Sequence, residues 1–180
     1  MKKYIAFLRA INVGGHNIKM EKLKRLFEEI GFKNVETFIA SGNVIFETKS
    51  VNFSNLEKKI EIHLCKSLGY EVATFIRTTS EITAITNFKP FKEDELKKSQ
   101  ALNVAFLKEH LTKEQKKSLT TLKTDIDDFH TSGREVYWMC KKKQSESKFS
   151  NTLFERTLKI RATFRGIKTV QKLAAKYPAN

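Results

Sequence analysis

The chain has 180 residues, of which 40% are hydrophobic and 11% aromatic, which is enough for a packed core in one sizeable domain or two small ones. Fourteen phenylalanines against seven glycines and two prolines exclude a disordered chain. The formal net charge is +14, which favours anionic partners. Two cysteines, Cys65 and Cys140, are too few for a disulfide scaffold or a four-ligand zinc site, and predict reduced thiols.

The first half of the sequence predicts the order strand, helix, strand, strand, helix, strand, followed by one more helix. Leu23, Leu26 and Phe27 share one face of the first helix, and Gly42 supplies the turn between the second and third strands. Ser54 is the expected cap of the second helix. The predicted strands are 3–11, 35–39, 43–47 and 71–77, and the predicted helices are 20–30, 55–68 and 80–88.

The second half predicts the same order after a charged stretch at 90–100, which we interpret as a linker. Thr112 is the expected cap of its first helix. The predicted strands are 101–107, 128–131, 135–140 and 162–164, and the predicted helices are 112–122, 149–158 and 168–176. This order is typical of two ferredoxin-like (βαββαβ) halves with additional helices in an α+β protein, with domains at 1–89 and 101–180. The alternative is a single mixed sheet with all helices on one side.

The sequence favours a cytoplasmic protein without a membrane segment. The apolar run at the start ends at Arg9 after five residues, whereas a secretion signal needs about 7 to 15. No apolar segment approaches the roughly 18 residues that a membrane span requires.

The positive charge is concentrated at the two ends of the sequence. Residues 1–25 hold seven basic and one acidic side chain, and residues 134–180 hold twelve basic and three acidic side chains. The remaining residues have a net charge of −1. If the two ends meet in space they form one strongly positive surface that attracts phosphates or another anion; the alternative is a well-solvated surface that keeps the protein soluble.

The segment 9–19 is the strongest candidate for a binding site, because it follows a hydrophobic strand and precedes a helix. Gly14 and Gly15 can expose successive backbone N–H groups, which attract anions near a helix N-terminus, and Arg9 and Lys19 would add charge. The segment lacks the Gly-Lys-Ser/Thr ending of a Walker loop and the third glycine of a dinucleotide fingerprint. The alternative is a tight turn that needs glycine for its conformation.

A second polar group, Ser41, Gly42 and Asn43, lies between two apolar strands. Its side chains could hydrogen-bond the first loop if the two are neighbours in the sheet. The alternative is a hairpin in which Ser41 and Asn43 satisfy their own backbone.

Few residues suggest catalysis. His16 is the candidate acid or base, but no acidic residue lies near it in sequence. The other histidines have no metal-ligand spacing, and Asp125, Asp127 and Asp128 lack the glycine and the distant glutamate of a calcium loop, so we expect a solvated turn and neither a metal nor a cofactor. The aromatic residues of the first-half strands do not spell an RNP1 motif, so a specific RNA module is unsupported.

The residues carry a resemblance to a known family. Residues 4–16 (YIAFLRAINVGGH) and 38–46 (FIASGNVIF) resemble the DUF1697 patterns ALLRGINVGG and YIQSGNVVF, and segments between 147 and 173 resemble its second signature. Two positions differ, because the family usually has Gly where Ala10 stands and Asn where Gly166 stands. The resemblance implies a two-part α+β protein with ferredoxin-like halves, in a family whose activity is unassigned.

These observations predict a protein that binds an anionic ligand, either nucleic acid or a phosphorylated small molecule, through the glycine loop and the basic C-terminal segment. One alternative is an enzyme that acts on a small phosphorylated or carboxylate substrate with His16 as acid or base. Another is a structural or partner-binding protein with a large apolar surface patch. The predicted ligand-binding residues are Arg9, Asn12, Gly14, Gly15, His16, Lys19, Ser41, Asn43, Lys148, Arg165 and Lys168.

Overall fold

The computed structural model describes residues 1–12, 14–39 and 42–179. Within these residues it has an α+β fold with two four-stranded antiparallel sheets, eight strands and seven α-helices. The strands are β1 (Lys2–Leu8), β2 (Lys33–Thr37), β3 (Asn43–Thr48), β4 (Thr74–Thr78), β5 (Ala101–Phe106), β6 (Asp127–Ser132), β7 (Glu135–Cys140) and β8 (Thr163–Gly166). The helices are α1 (Met20–Glu29), α2 (Phe53–Leu68), α3 (Thr79–Asn87), α4 (Glu93–Lys97), α5 (Lys113–Thr120), α6 (Asn151–Leu158) and α7 (Ile167–Lys176). No described helix is long and apolar enough to cross a membrane.

The first compact unit comprises Met1–Thr83 and Lys176–Asn180. Its sheet has the order β2-β3-β1-β4, and every neighbouring pair is antiparallel. Alternate residues of β1 join the apolar faces of α1 and α2 in one core, as the helical spacing predicts. The buried members contributed by these three elements are Tyr4, Ala6, Leu8, Leu23, Leu26, Phe27, Leu56, Ile60 and Leu64.

The second compact unit, Ala84–Ala175, has a sheet of order β6-β7-β5-β8, again antiparallel throughout. Its core is rich in aromatic rings: Phe149 packs 4.4 Å from Trp138 and 5.8 Å from Phe164, centroid to centroid. The two sheets exclude the predicted alternative of one mixed sheet in the part of the chain that the structure describes. The unit boundary lies within α3, and the predicted linker 90–100 contains α4.

Two helix caps test the local sequence reasoning. Thr112 caps α5 as predicted, because its side chain accepts a hydrogen bond from the backbone N–H of Gln115. The predicted cap of α2, Ser54, is wrong. Asn52 caps that helix by accepting from the N–H of Asn55, so α2 begins two residues earlier than expected.

The two units repeat the same arrangement down to individual hydrogen bonds. Leu8 N–H donates to the Gly42 carbonyl at 2.8 Å, and Leu107 N–H donates to that of Arg134 at 3.0 Å. Residues 6–8 of the first unit and residues 105–107 of the second occupy equivalent positions in their sheets, and both segments have the sequence Ala-Phe-Leu. The periodicity of the sequence predicts the same order of strands and helices in both halves. The equivalent strands also share these three identical residues.

Candidate functional site

The loop that follows β1 is fixed at its base by buried residues. Ile11 and Ile18 are buried, and the Asn12 side chain spans the loop between them by accepting a hydrogen bond from Ile18 N–H at 2.8 Å. Arg9 N–H donates to the Ala73 carbonyl at 2.9 Å, which ties the start of the loop to the residue before β4. Asn12, predicted to bind ligand, therefore has a structural role in closing the loop.

The tip of the loop, residues 14–17, is exposed. Gly14 and Gly15 have φ angles of +64° and +86°, and nothing lies within 4 Å of a Cβ built at either position. Among the described residues, none accepts a hydrogen bond from the backbone N–H groups of this tip. Within the described residues, four consecutive peptide N–H groups therefore have no protein acceptor and can bind a ligand or water.

One side of the tip rests on Tyr70. The His16 ring stacks on the Tyr70 ring at 3.8 Å between centroids, with an angle of 17° between the planes. The Tyr70 hydroxyl donates to the Ile11 carbonyl at 3.0 Å, and burial raises the pKa of this hydroxyl. The described part of the chain places no carboxylate in hydrogen-bond contact with His16, so nothing there orients the ring as an acid or base.

Gly42, which directly precedes β3, lies beside the base of the glycine loop. Gly42 has a φ of +73°, and a Cβ at this position would lie 2.7 Å from Cγ2 of Ile11. Asn43 is fully buried, donates from Nδ2 to the Phe38 carbonyl at 2.9 Å, and accepts from Phe38 N–H through its own carbonyl at 2.9 Å. The Asn43 side chain thus satisfies the backbone of its own turn, the alternative considered above. Ser41 lies outside the described residues.

Positive charge continues from the loop into α1. Lys19 is exposed, and it precedes Met20 without a side-chain hydrogen bond that would cap the helix. Lys22 and Arg25 are exposed further along α1. Arg9, at the start of the loop, is half-buried and takes part in interactions within the protein.

The remaining predicted ligand residues belong to the second unit. Lys148 and Lys168 are exposed. Arg165 is half-buried: its Nη1 donates to Thr163 Oγ1 and to the Phe164 carbonyl, both at 2.8 Å. Burial lowers the pKa of the Arg165 guanidinium to about 10, so it remains charged near neutral pH.

Asp127 was expected to lie in a solvated turn. Its carboxylate is instead buried and anchors the loop that precedes Lys148. Asp127 is 1% exposed and accepts hydrogen bonds from Trp138 Nε1 at 2.8 Å and Ser147 Oγ at 2.7 Å, and a third from Thr124 Oγ1 at 2.9 Å. The expectation of a solvated turn is therefore wrong for Asp127. Its three partners are donors, and the described residues contain no cluster suited to a metal ion.

A third polar cluster holds the end of the chain in the first unit. Glu36 accepts from the Tyr177 hydroxyl at 2.8 Å and pairs with Lys176 at 3.2 Å. The Tyr177 hydrogen bond is the main reason that the pKa of Glu36 is lowered. Lys3 lies 5.7 Å from the centre of the Tyr177 ring. No local signal in the sequence indicates this contact, which joins residues 141 positions apart.

The fold defines the protein as an α+β protein with two four-stranded antiparallel sheets. The chain belongs to the family described as "Protein of unknown function (DUF1697)", whose model matches residues 1–137 and therefore includes the glycine loop. The conserved bacterial protein SP0830 from Streptococcus pneumoniae has a similar structure, with a TM-score of 0.79 and 20% identity over 99% of each chain. At that identity the likeness shows the fold alone. No match was found among curated proteins.

Proposed function

We propose that this protein binds an anionic ligand, either nucleic acid or a phosphorylated small molecule, at the loop formed by residues 9–19. One observation carries the proposal: residues 14–17 present four consecutive backbone N–H groups that have no acceptor among the described residues. The loop base is fixed between buried Ile11 and Ile18, which lowers the conformational entropy lost when the tip binds a ligand.

Electrostatics adds to this arrangement. Consecutive peptide N–H groups in a glycine-rich turn form a concave set of donors, and α1 directs the positive end of its dipole toward the same region. Exposed Lys19 supplies a full charge where the loop enters the helix. We further propose that the basic C-terminal segment, with Lys148, Arg165 and Lys168, contributes to anion binding by this protein, as the charge distribution of the sequence predicts.

We also infer a ferredoxin-like topology for each half. The order of elements in the chain, strand, helix, strand, strand, helix, strand, and the sheet orders β2-β3-β1-β4 and β6-β7-β5-β8 support it. In this arrangement both helices of a half cover one face of its sheet.

The two alternative functions receive less support. His16 stacks on Tyr70 and has no carboxylate partner in the described residues, so no contact there activates it for acid–base chemistry. The partner-binding alternative predicts a large contiguous apolar surface, whereas five large hydrophobic side chains are exposed in the described chain. They are Met1, Ile39, Val51, Ile62 and Phe88.

The nucleic-acid form of the proposal is tested by binding to a mixed pool of oligonucleotides across a salt series. Affinity should fall as salt rises, and Lys19→Ala should lower the slope of log K against log salt by about 1, because one phosphate contact is lost. Lys58→Ala is the matched control, since Lys58 is exposed on α2 and about 15 Å along that helix from its end at Leu68, near Tyr70. Indifference to salt, or equal effects of the two variants, would contradict this form.

The small-molecule form is tested by titrating the protein with phenyl phosphate and following the backbone amide signals of residues 14–17 by NMR. We expect saturable shifts at these amides and weaker binding by His16→Pro, which removes one N–H donor from the tip. His16→Ala is the control that keeps the donor while losing the same ring, and His16 does not have a positive φ. Shifts absent from the tip, or equal affinity of the two variants, would contradict the loop site.

A further inference from the structure

The ring of His16 is covered on one face by another aromatic ring. It stacks on the Tyr70 ring at 3.8 Å between centroids, with 17° between the planes. Among the described residues, Tyr70 is the only ring that contacts His16. His16 is nonetheless exposed to solvent. An aromatic ring that is covered on one side only offers its other face to a second planar group.

Tyr70 is a fixed support for this ring. α2 ends at Gly69, which has a φ of +82° and donates its N–H to the Cys65 carbonyl at 2.9 Å. Tyr70 follows directly, packs against the core of the first unit and donates its hydroxyl hydrogen to the Ile11 carbonyl at 3.0 Å. The support therefore needs little reordering when a planar ligand binds, which lowers the entropy cost of stacking.

The exposed face of the His16 ring lies next to the proposed anion site. His16 is one of residues 14–17, whose backbone N–H groups have no acceptor among the described residues. A single methylene joins the imidazole to that backbone, so the donors and the aromatic face lie within one side chain's length of each other. A bare phosphate would use the donors and leave the aromatic face in water. A nucleotide can use both, because its sugar joins a phosphate to a planar base.

We propose that the glycine loop binds a nucleotide, with its phosphate at the N–H groups of residues 14–17 and its base stacked on the exposed face of His16. This inference rests on the proposed anion site and names the class of ligand that the site takes. Every nucleobase has a planar face, so the stack recognises nucleotides without selecting one base. The exposed Lys19 supplies positive charge for the phosphate. The ligand is a nucleoside monophosphate unit, either free or within a single strand of nucleic acid.

The test compares adenosine monophosphate with ribose-5-phosphate, which has the sugar and the phosphate but no base. Each is titrated into the isotope-labelled full chain at constant ionic strength and followed by NMR. We expect both to shift the amides of residues 14–17. Adenosine monophosphate should bind about 5- to 150-fold more tightly, which is the contribution of one base–aromatic stack. Nuclear Overhauser contacts should join the base protons to the ring protons of His16.

The outcomes separate this inference from the proposed function. Equal affinities for the two ligands, with shifts at residues 14–17, would overturn the nucleotide and leave the anion site intact. If neither ligand shifted these amides, both proposals would fail. Given tighter binding of adenosine monophosphate, a titration with a short single-stranded oligoadenylate identifies the source of the nucleotide. A strand is the ligand if the oligoadenylate binds more tightly than adenosine monophosphate, and a free nucleotide is the ligand if it binds less tightly.

Substitutions of His16 separate stacking from the charge and hydrogen bonds of the imidazole. His16→Ala should abolish the preference for adenosine monophosphate over ribose-5-phosphate, whereas His16→Phe, which keeps a planar ring, should retain it. Loss of the preference in both variants would overturn the stacking role. His110→Ala is the matched control, because His110 is an exposed histidine of the second unit, and it should leave both affinities unchanged.

Discussion

Gly42→Ala is the substitution whose effect the structure specifies most closely. The new Cβ would lie 2.7 Å from Cγ2 of Ile11 and 3.2 Å from Cβ of Leu8, and both contacts are too close. Overpacking of this kind costs about 1–3 kcal/mol. The φ of +73° adds about 1–2 kcal/mol for a residue with a side chain. We therefore expect the free energy of unfolding of the first unit to fall by about 2–5 kcal/mol.

Gly31→Ala is the control for the backbone contribution. Gly31 has a φ of +89°, but no atom lies within 4 Å of a Cβ built there, so only the conformational cost of about 1–2 kcal/mol applies. The difference between the two variants isolates the contact with Ile11 and Leu8, and should be about 1–3 kcal/mol.

Urea denaturation followed by circular dichroism measures both losses of stability. Fluorescence of Trp138, the sole tryptophan, reports the second unit and shows whether the effect stays in the first. Amide hydrogen exchange at Leu8, which donates to the Gly42 carbonyl, gives an independent local measure. If Gly42→Ala and Gly31→Ala lowered stability equally, the reasoning from the close approach to Ile11 would be refuted.

Two further predictions concern polar side chains whose hydrogen-bond partners are distant in the sequence. Asp127→Ala leaves the buried Trp138 Nε1 donor without an acceptor, so we expect the free energy of unfolding of the second unit to fall by about 3 kcal/mol, measured by tryptophan fluorescence in urea. Asp127→Asn, which keeps an acceptor oxygen, should lose less; equal losses would contradict the assigned role. The pKa of Glu36 is lowered in the folded protein, so its contribution to stability is present above the unfolded value of about 4.3 and is lost as pH falls through the lower folded pKa. NMR signals of Tyr177 should therefore shift in acid, and Glu36→Gln should remove that transition; an unchanged transition in the variant would contradict the pairing.

Local patterns in the sequence determined the order of helices and strands and the position of the glycine loop between the first strand and the first helix. The apolar face of α1 could be predicted because helical spacing puts Leu23, Leu26 and Phe27 on one side whatever they pack against. The Thr112 cap and the positive φ angles of Gly14 and Gly15 likewise depend on residues close in the chain. The matching element order of the two halves followed from the same local periods.

Tertiary structure alone decided which polar groups are buried and what they contact. Asp127 belongs to an acidic turn in sequence, and it becomes buried only because Trp138 and Ser147 supply hydrogen bonds from other segments. The hydrogen bond between Glu36 and Tyr177 likewise joins residues 141 positions apart. A local pattern specifies the period of an element, whereas the partners of its polar side chains come from distant parts of the chain. Those partners are fixed only when the sheets form.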